Sequence, residues 1–215
     1  MACERGERTL FRDLSFTLEK GSGLILTGPN GVGKTSLLRI LAGLLRPATG
    51  AVTLEGGDPE KDLAEQVHFI GMKDALKPSL TVIEHIRHWY ELFQCPSFLD
   101  VGPHDRAYRE RVLLLGMGLE QQARLPAAYL SAGQRRRLAL ARLYTSHRKI
   151  WLLDEPLNAL DANSRENIRI RLIRFMAEGG LLIMATHEPI NLSHTRILPL
   201  RRDMAGIVPE SGAMA

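Results

Sequence analysis

A glycine-rich stretch near the N-terminus has the composition of a phosphate-binding loop. It reads Gly28-Pro29-Asn30-Gly31-Val32-Gly33-Lys34-Thr35-Ser36 and fits the pattern G-x-x-x-x-G-K-[ST]. Its glycines permit backbone conformations that are closed to larger residues, so successive N–H groups can turn toward phosphate oxygens. Lys34 can reach the terminal phosphates of a nucleotide, and the Thr35 hydroxyl can ligate Mg²⁺. The stretch therefore predicts a site for a nucleotide and a metal ion.

The segments on both sides of this loop support that interpretation. Leu24-Ile25-Leu26 is a short apolar strand candidate before the loop, and residues 37–45 carry apolar side chains at helical spacing after it. Strand, loop and helix in this order are the context that the motif requires, and the helix adds its positive N-terminal end. The alternative is a glycine-rich turn that contains a lysine by chance, and both flanks argue against it.

A second candidate for chemistry is an apolar run that ends in two carboxylates. Ile150-Trp151-Leu152-Leu153-Asp154-Glu155 begins like a buried parallel strand. Asp154 at its end can approach the Mg²⁺ held by Thr35. Glu155, one residue later, can polarise an attacking water molecule. The pattern is weak by itself and gains meaning from the lysine loop upstream.

The elements that must position these residues indicate an α/β fold with a mostly parallel sheet. Further strand candidates are short apolar or partly alternating runs at 10–18, 51–54, 67–70, 181–186 and 197–200. From Thr81 to about Arg148 the pattern is mostly helical. We therefore expect one domain, 1–215, with a core of 1–72 and 149–203 and a helical subdomain of about 73–148. Residues 204–215 are rich in small side chains and predict a loose tail.

Composition restricts the possible partners of the chain. The net charge of +4 suits an anionic ligand or an anionic membrane surface, and the scattered arginines do not indicate a nucleic-acid site. Cys3 and Cys95 lie far apart, which argues against a disulfide framework or a zinc site. The N-terminus has no apolar signal segment, and no stretch approaches the roughly 18 uninterrupted apolar residues of a membrane span. Any membrane role then requires a partner that spans the bilayer.

A pentapeptide between the two motifs makes the chain resemble a known family. Leu130-Ser131-Ala132-Gly133-Gln134 fits L-S-x-G-Q, the signature of the ATP-binding-cassette (ABC) ATPases, and follows the family's usual order. Alone, it could be a serine N-cap followed by a surface helix. The resemblance covers about residues 10–200 and implies a P-loop NTPase core with a helical signature subdomain that hydrolyses ATP. Ser131 and the N–H groups around Gly133 would open a helix toward a γ-phosphate.

Two further segments match the family residue by residue. Asn158-Ala159-Leu160-Asp161 stands where the family has its D-loop, and His187 stands where it has its switch histidine. The resemblance implies Glu155 and His187 as catalytic residues, and Thr35 and Asp154 as Mg²⁺ ligands. It implies ATP contacts from the whole loop and from four residues downstream, namely Ser131, Gly133, Gln134 and Asp161. It also implies a head-to-tail homodimer, with each ATP between Lys34 of one subunit and Ser131 and Gly133 of the other.

Three departures from the family pattern bear on this expectation. Lys73 lies at about the place of a glutamine that contacts Mg²⁺ and the transmembrane partner, and an ammonium group cannot ligate a metal. The family commonly stacks an aromatic residue from the segment upstream of the loop on adenine; near that position this sequence has Arg5 or Arg8 and no tyrosine, and an arginine guanidinium could stack instead. The N-terminus is also about one strand short, which predicts that the chain begins within a longer protein.

One branch of the family is the most similar. Short peptides at 3–11, 71–80 and 186–189 resemble the ATP-binding subunit of the haem exporter of bacterial cytochrome c maturation. This resemblance implies a peripheral protein on the cytoplasmic face of the inner membrane with a multispanning membrane partner. ATP hydrolysis would energise haem export or haem delivery to a periplasmic haem chaperone. We expect the complex, not this chain, to handle haem, and we expect no nucleic-acid partner.

Other functions remain open at this point. The alternatives are an ABC ATPase subunit for another small-molecule or lipid cargo, a non-transport ABC ATPase, and a regulatory module that does not turn over ATP. Non-transport members in translation carry two cassettes and those in DNA repair carry a long coiled coil, and this sequence has neither.

Large apolar residues at 72–93 allow two interpretations. They form a docking patch for a membrane partner, or they pack the helical subdomain. The residues concerned are Met72, Leu76, Leu80, Trp89, Tyr90 and Phe93. In the docking interpretation, Lys73 contacts the partner.

Overall fold

A parallel sheet carries the two motifs at one edge. The computed structural model describes residues 1–6, 8–95, 102–145 and 148–201, and the predicted tail lies outside them. The strands are β1 (Cys3–Arg5), β2 (Arg8–Phe11), β3 (Gly23–Thr27), β4 (Val67–Ile70), β5 (Ile150–Asp154), β6 (Leu181–Ala185) and β7 (Thr195–Pro199). In the described part of the chain, five strands form one sheet in the order β4-β5-β6-β3-β7. Each neighbouring pair is parallel, which confirms the predicted fold class.

The other elements are helices and a short hairpin. β1 and β2 form a separate antiparallel pair. The helices are α1 (Lys34–Leu41), α2 (Leu63–Gln66), α3 (Val82–Leu92), α4 (Pro103–Gly116), α5 (Ala132–Ala141) and α6 (Ala162–Ala177). None of the helices in the described ranges combines the length and the apolar character that crossing a membrane requires.

The register of the sheet explains why three segments meet. Asp154 of β5 pairs with Ala185 of β6, and Ala185 pairs in turn with Leu26 of β3. In a parallel sheet the carboxyl ends of the strands lie at the same edge. The phosphate-binding loop, Glu155 and His187 each follow one of these three strands and therefore emerge side by side.

The described residues fall into two compact units. The first contains those within Met1–Gly71, Lys149–Glu155 and 171–201; the second contains those within Met72–Arg148 and Pro156–Ile170. In the first unit, Leu152 of β5 shares a fully buried cluster with Leu37 and Leu38 of α1. Trp151, one residue earlier, stacks on Phe175 with ring centroids 3.7 Å apart. Because neighbouring strand residues point to opposite faces, β5 is covered on both sides, as expected of a parallel strand.

The second unit is built on α3, α4 and α5. Val82 and Ile86 of α3 pack with Leu138 of α5 in a core without exposed surface at these residues. Arg87 of α3 donates two hydrogen bonds, of 2.7 and 2.9 Å, to the Glu110 carboxylate of α4. The α3 helix begins at a Thr81–Glu84 capping box, which satisfies N–H groups at its first turn.

The core of the second unit decides between the two interpretations of the apolar residues at 72–93. Trp89 and Tyr90 are 5% and 6% exposed and belong to that core. Phe93 and Leu76 pack against it, while Met72 is 62% exposed. The docking interpretation is therefore wrong for Trp89 and Tyr90, which pack the helical unit.

Of the strand predictions, one was too long and another was wrong. The strand predicted over 10–18 ends at Phe11, because Asp13 adopts a positive φ of 51° that breaks the extended backbone. Residues 51–54 form no strand, although their composition is apolar. Gly50 and Gly56 turn the chain on both sides of that segment, with φ angles of 86° and 69°.

His85 should make the stability of the protein depend on pH. Its buried ring accepts a hydrogen bond from the Lys77 N–H (3.0 Å) at Nε2, so Nδ1 carries the proton and donates to the Thr81 carbonyl (2.9 Å). Burial lowers the pKa of His85 below its ordinary value. The unfolded chain, with a histidine pKa of about 6.5, therefore takes up a proton first. The contribution of His85 is complete above about pH 6.5 and is lost as the pH falls.

Urea unfolding at about pH 7.5 and about pH 5.5 measures this dependence. We expect a smaller difference between the two pH values in His85→Gln, whose amide keeps one donor and one acceptor without titrating. His104→Gln is the matched control, because the His104 side chain is exposed, whereas the charge of His88 itself lowers the pKa of His85. An unchanged difference in His85→Gln would contradict the assignment.

Candidate functional site

The glycine-rich loop between β3 and α1 has the backbone that an anion cradle requires. Gly28 has a φ angle of 131°, and a Cβ atom there would lie 2.4 Å from the Leu200 carbonyl oxygen. Only glycine fits this close approach. The α1 helix begins at Lys34, and its N-cap, Gly33, has no side chain with which to cap it. The first N–H groups of α1 are therefore suited to an anionic ligand.

Lys34 is buried at the start of α1 and points back over the loop. Its Nζ donates to the carbonyl oxygens of Gly28 (2.6 Å) and Pro29 (3.3 Å). The pKa of Lys34 is below its ordinary value because the side chain is buried; the nearby carboxylates of Glu155 and Asp154 oppose this shift without cancelling it. The ammonium group thus has dipolar partners in the loop and negative charge close by, and a phosphate would offer it a stronger partner.

Thr35 and Asp154 meet at the end of β5. The Thr35 hydroxyl donates to Oδ2 of Asp154 at 2.7 Å, and Asp154 is 1% exposed. A hydroxyl and a carboxylate are hard oxygen ligands of the kind that Mg²⁺ prefers. The donor set that the structure brings together here fits this metal ion.

Glu155 is a buried carboxylate on a strained backbone. Its N–H donates to the Ala185 carbonyl at 2.9 Å, and its Oε2 accepts from the His187 N–H at 3.3 Å. Its φ angle of 48° is left-handed, although the residue is not glycine and Pro156 follows it. Proline disfavours such a conformation in the residue before it. Strain of this kind costs about 1–3 kcal/mol and persists where the surroundings enforce it, as they often do in active sites.

The Nε2 atom of His187 lies near three polar groups with different demands. It is 2.6 Å from Oδ1 of Asn30, 3.1 Å from Nζ of Lys34 and 3.5 Å from Oε1 of Glu155. A protonated Nε2 can donate to the Asn30 oxygen, whereas only an unprotonated Nε2 can accept from Lys34. These contacts require different tautomers of the ring. This link between Asn30 and His187 joins segments far apart in sequence and was not predicted.

The signature peptide lies in the second unit, at the start of α5. Ser131 is the exposed N-cap: its Oγ accepts from the Gln134 N–H at 3.2 Å, and Oε1 of Gln134 accepts from the Ser131 N–H at 2.8 Å. In this capping box the Gln134 side chain serves its own helix. The hydroxyl proton of Ser131 is not used by the cap and can be donated to a ligand.

Gly133 and Asp161 have structural tasks in the same unit. A Cβ atom at Gly133 would lie 2.9 Å from the Ala159 carbonyl oxygen, so glycine lets this segment approach α5. The Asp161 carboxylate accepts from the Ser164 N–H (2.8 Å) at the start of α6 and from Arg137 (2.9 Å). Hydrogen bonds from Ser164 hold the pKa of Asp161 below its ordinary value. Its carboxylate thus anchors α6.

Sequence reasoning missed Arg136. Arg135, Arg136 and Arg137 form a basic run at the start of α5, yet Arg136 is 3% exposed. It pairs with Asp74 and donates to the Pro156 carbonyl. A helical spacing of four residues puts Arg136 on the same face as the buried Leu140, and this was the available signal. Lys73, Arg5 and Arg8 are exposed.

Comparisons with known proteins agree with this geometry. The sequence profile of the ABC transporter family matches residues 11–158. The cytochrome c biogenesis ATP-binding export protein CcmA of Nitrobacter winogradskyi is 47% identical over 193 residues, covering 90% of this chain and 92% of that protein. The protein of the same name from Rhodopseudomonas palustris is 48% identical with the same coverage.

A solved structure gives the same result for the fold. The ATP-binding subunit of an ABC transporter superimposes with a TM-score of 0.74 at 22% sequence identity, covering 86% of this chain and 76% of that one. At this identity the likeness concerns the fold alone.

Gly28→Ala should destabilise the protein more than Gly31→Ala. Both residues have positive φ angles, but a Cβ atom at Gly31 would meet nothing within 4 Å. We expect a loss of about 1–2 kcal/mol for Gly31→Ala from the left-handed backbone alone. Gly28→Ala should lose about 2 kcal/mol more, because the Leu200 backbone must move. Urea denaturation measures both free energies of unfolding. The opposite order would show that the contact with Leu200 does not determine the cost of a side chain at Gly28.

Proposed function

The chain belongs to the ABC transporter family of ATP-binding proteins, and on this premise we propose that it powers an export step of cytochrome c biogenesis. The chain hydrolyses ATP to ADP and phosphate. The observation that carries the proposed site is the convergence of the lysine loop, the Thr35–Asp154 pair and Glu155 at one edge of the sheet. The relatives, near half identical over nine tenths of the chain, support the biological role.

Lys34 and the loop bind the phosphates. In the structure Lys34 donates to two loop carbonyls, which are neutral dipoles. A γ-phosphate oxygen carries charge, so the ammonium exchanges these bonds for charge-assisted ones when ATP enters. The N–H groups of the loop and of the first turn of α1 add donors without a reorganisation of the fold. The loop residues 28–36 are the proposed ATP contacts in this unit.

Thr35 and Asp154 are the proposed Mg²⁺ ligands. When bound, the ion neutralises phosphate charge and helps to orient the phosphates. Asp154 is held by burial at the end of β5 and by the Thr35 hydroxyl, so the carboxylate is in place before a metal arrives. Lys73 takes no part in this donor set, because its ammonium group cannot ligate a cation.

Glu155 is the proposed general base. A water oxygen attacks the γ-phosphorus, the bond from that phosphorus to the β,γ-bridging oxygen breaks, and ADP leaves with that electron pair. The Glu155 carboxylate accepts the proton of the attacking water. His187 assists in two ways. Its backbone N–H donates a hydrogen bond to the Glu155 carboxylate, and its exposed ring lies beside Lys34, where the ring can donate to the γ-phosphate.

A head-to-tail homodimer would complete each site. Ser131 is exposed at the N-terminus of the ten-residue helix α5, and its hydroxyl proton is available to a ligand. We assign Ser131 and Gly133 to the γ-phosphate held by Lys34 of the partner. Gln134 supports this contact by capping α5, and Asp161 supports it by anchoring the segment that approaches Gly133.

The export role requires a multispanning membrane subunit. We propose that the chain binds such a subunit at the cytoplasmic face of the bacterial inner membrane, with exposed Lys73 and Met72 in the contact. ATP hydrolysis would energise haem export or haem delivery to a periplasmic haem chaperone. We propose that the complex, not this chain, handles haem: Cys3, Cys95 and His85 are buried within this chain, and the exposed His88 belongs to no metal-binding cluster among the described residues.

Glu155→Gln should bind ATP and stop turnover. The amide keeps the shape of the side chain but cannot accept the proton, so we expect kcat to fall about 10²–10⁴-fold. Lys34→Ala should also lose ATP binding, since it removes the main phosphate charge. Fluorescent-nucleotide titration and phosphate release on the same samples separate the two effects. Wild-type hydrolysis by Glu155→Gln would show that the base is assigned incorrectly.

The cellular role is tested in a host that lacks its own cytochrome c biogenesis ATP-binding export protein. The wild-type chain should restore haem-stained c-type cytochromes, and Glu155→Gln should not. Failure of the wild-type chain to restore them, although it hydrolyses ATP and reaches the membrane, would favour another cargo.

Mixed dimers test the shared site. A Ser131→Arg subunit paired with a Lys34→Ala subunit has one composite site with both residues intact and one with neither. We expect ATP hydrolysis to return in the mixed dimer, whereas each homodimer is inactive. Tandem affinity tags isolate the mixed species. An assembled mixed dimer without activity would contradict sharing between subunits.

A further inference from the structure

Arg136 joins two segments that are distant in sequence. It lies on α5 with 4% of its side chain exposed, and its Nη1 is 3.1 Å from Oδ1 of Asp74. Its Nε donates to the Pro156 carbonyl oxygen, also at 3.1 Å. A buried cation is tolerated when a counter-charge and hydrogen bonds replace water, and Asp74 and Pro156 supply these. One guanidinium therefore holds a carboxylate and a backbone carbonyl at the same time.

The carbonyl that Arg136 holds belongs to the residue after the proposed base. Glu155 has a left-handed backbone, which neither its own side chain nor the following proline favours. Such a conformation must be enforced by its surroundings. On the N-terminal side, the Glu155 N–H is bound to the Ala185 carbonyl. On the C-terminal side, the Pro156 carbonyl is bound by Arg136.

We propose that Arg136 is a positioning residue for ATP hydrolysis, acting through the Pro156 carbonyl to hold Glu155 in its left-handed conformation. Asp74 orients the guanidinium for this task. The inference rests on the proposed role of Glu155 as general base. Arg136 itself does not contact the reacting atoms, so its loss should impair kcat without weakening ATP binding.

The two hydrogen bonds made by residue 136 require arginine at this position. Nε and Nη1 are separate donors of one rigid plane, and each serves a different segment. A lysine ammonium is a single point and cannot reproduce this fork. Arg142 is a second cation near Arg136 and Asp74, and it also lies over the Trp89 ring at 5.6 Å. Asp74 is thus the carboxylate that offsets two neighbouring guanidinium groups.

The test uses the full chain and a double variant in which neither member of the Arg136–Asp74 pair keeps its charge alone. Arg136→Gln with Asp74→Asn removes both charges together, so Arg142 loses one neighbouring cation and one neighbouring anion at the same time. We expect kcat to fall roughly ten- to hundredfold, the cost of a misplaced catalytic group, while the KM for ATP changes less than about twofold. Arg136→Lys should retain an intermediate kcat. Arg169→Gln is the matched control, because Arg169 forms an exposed ion pair of 2.8 Å with Glu166.

Thermal unfolding and bound nucleotide are measured on every variant. A merely structural role would lower the Tm and leave kcat per folded molecule unchanged, which would overturn the proposal. If the double variant does not fold, Arg136→Lys decides: lower kcat at an unchanged Tm supports the proposal, and wild-type kcat overturns it. Glu155→Gln is assayed in parallel. If it is as active as wild type, the assignment of the base fails instead.

Discussion

The register of three adjacent parallel strands is the constraint on which the site depends. Because Asp154, Ala185 and Leu26 lie side by side across β5, β6 and β3, the segments that follow these strands must leave the sheet together. The hydrogen bond from Glu155 to Ala185 extends the same alignment one residue beyond β5. Slippage between β5 and β6 would separate the proposed base from His187. The buried apolar residues of these strands therefore serve the chemistry by preventing slippage.

The site combines a rigid sheet with locally unfavourable backbone. Gly28 has a positive φ angle and lies so close to the Leu200 carbonyl that a side chain would not fit. Glu155 also has a positive φ angle, which suits glycine better than glutamate. Cores such as the one around Leu37 and Leu152 supply the stability that offsets this strain. Relaxed backbone at these residues would stabilise the fold and would move the loop or the carboxylate away from the proposed phosphate site.

Local patterns predicted most of this arrangement. The glycine loop, the Asp154–Glu155 strand end and the Ser131 helix start depend on neighbouring residues, so the sequence alone indicates them. The features that the sequence did not predict depend on packing between distant segments. The strand at 51–54 was wrong because an apolar run needs a sheet partner. Trp89 was wrongly considered for docking because the amphipathic pattern of a helix does not say what covers its apolar face. The Arg136–Asp74 pair joins residues 62 positions apart, and no local pattern reports it.

The ring nitrogen of His187 cannot serve all of its neighbours at once. With a proton, Nε2 can donate to the Asn30 oxygen or toward the Glu155 carboxylate, and without one it can accept from Lys34. The hydrogen bonds of Lys34 and of His187 are therefore linked, because the contact that the ring makes depends on where the lysine ammonium lies. In the proposed mechanism, movement of Lys34 to a phosphate would leave Nε2 to donate to Asn30 or to the same anion. The arrival of the phosphates would thus be coupled to the hydrogen bond that the histidine makes.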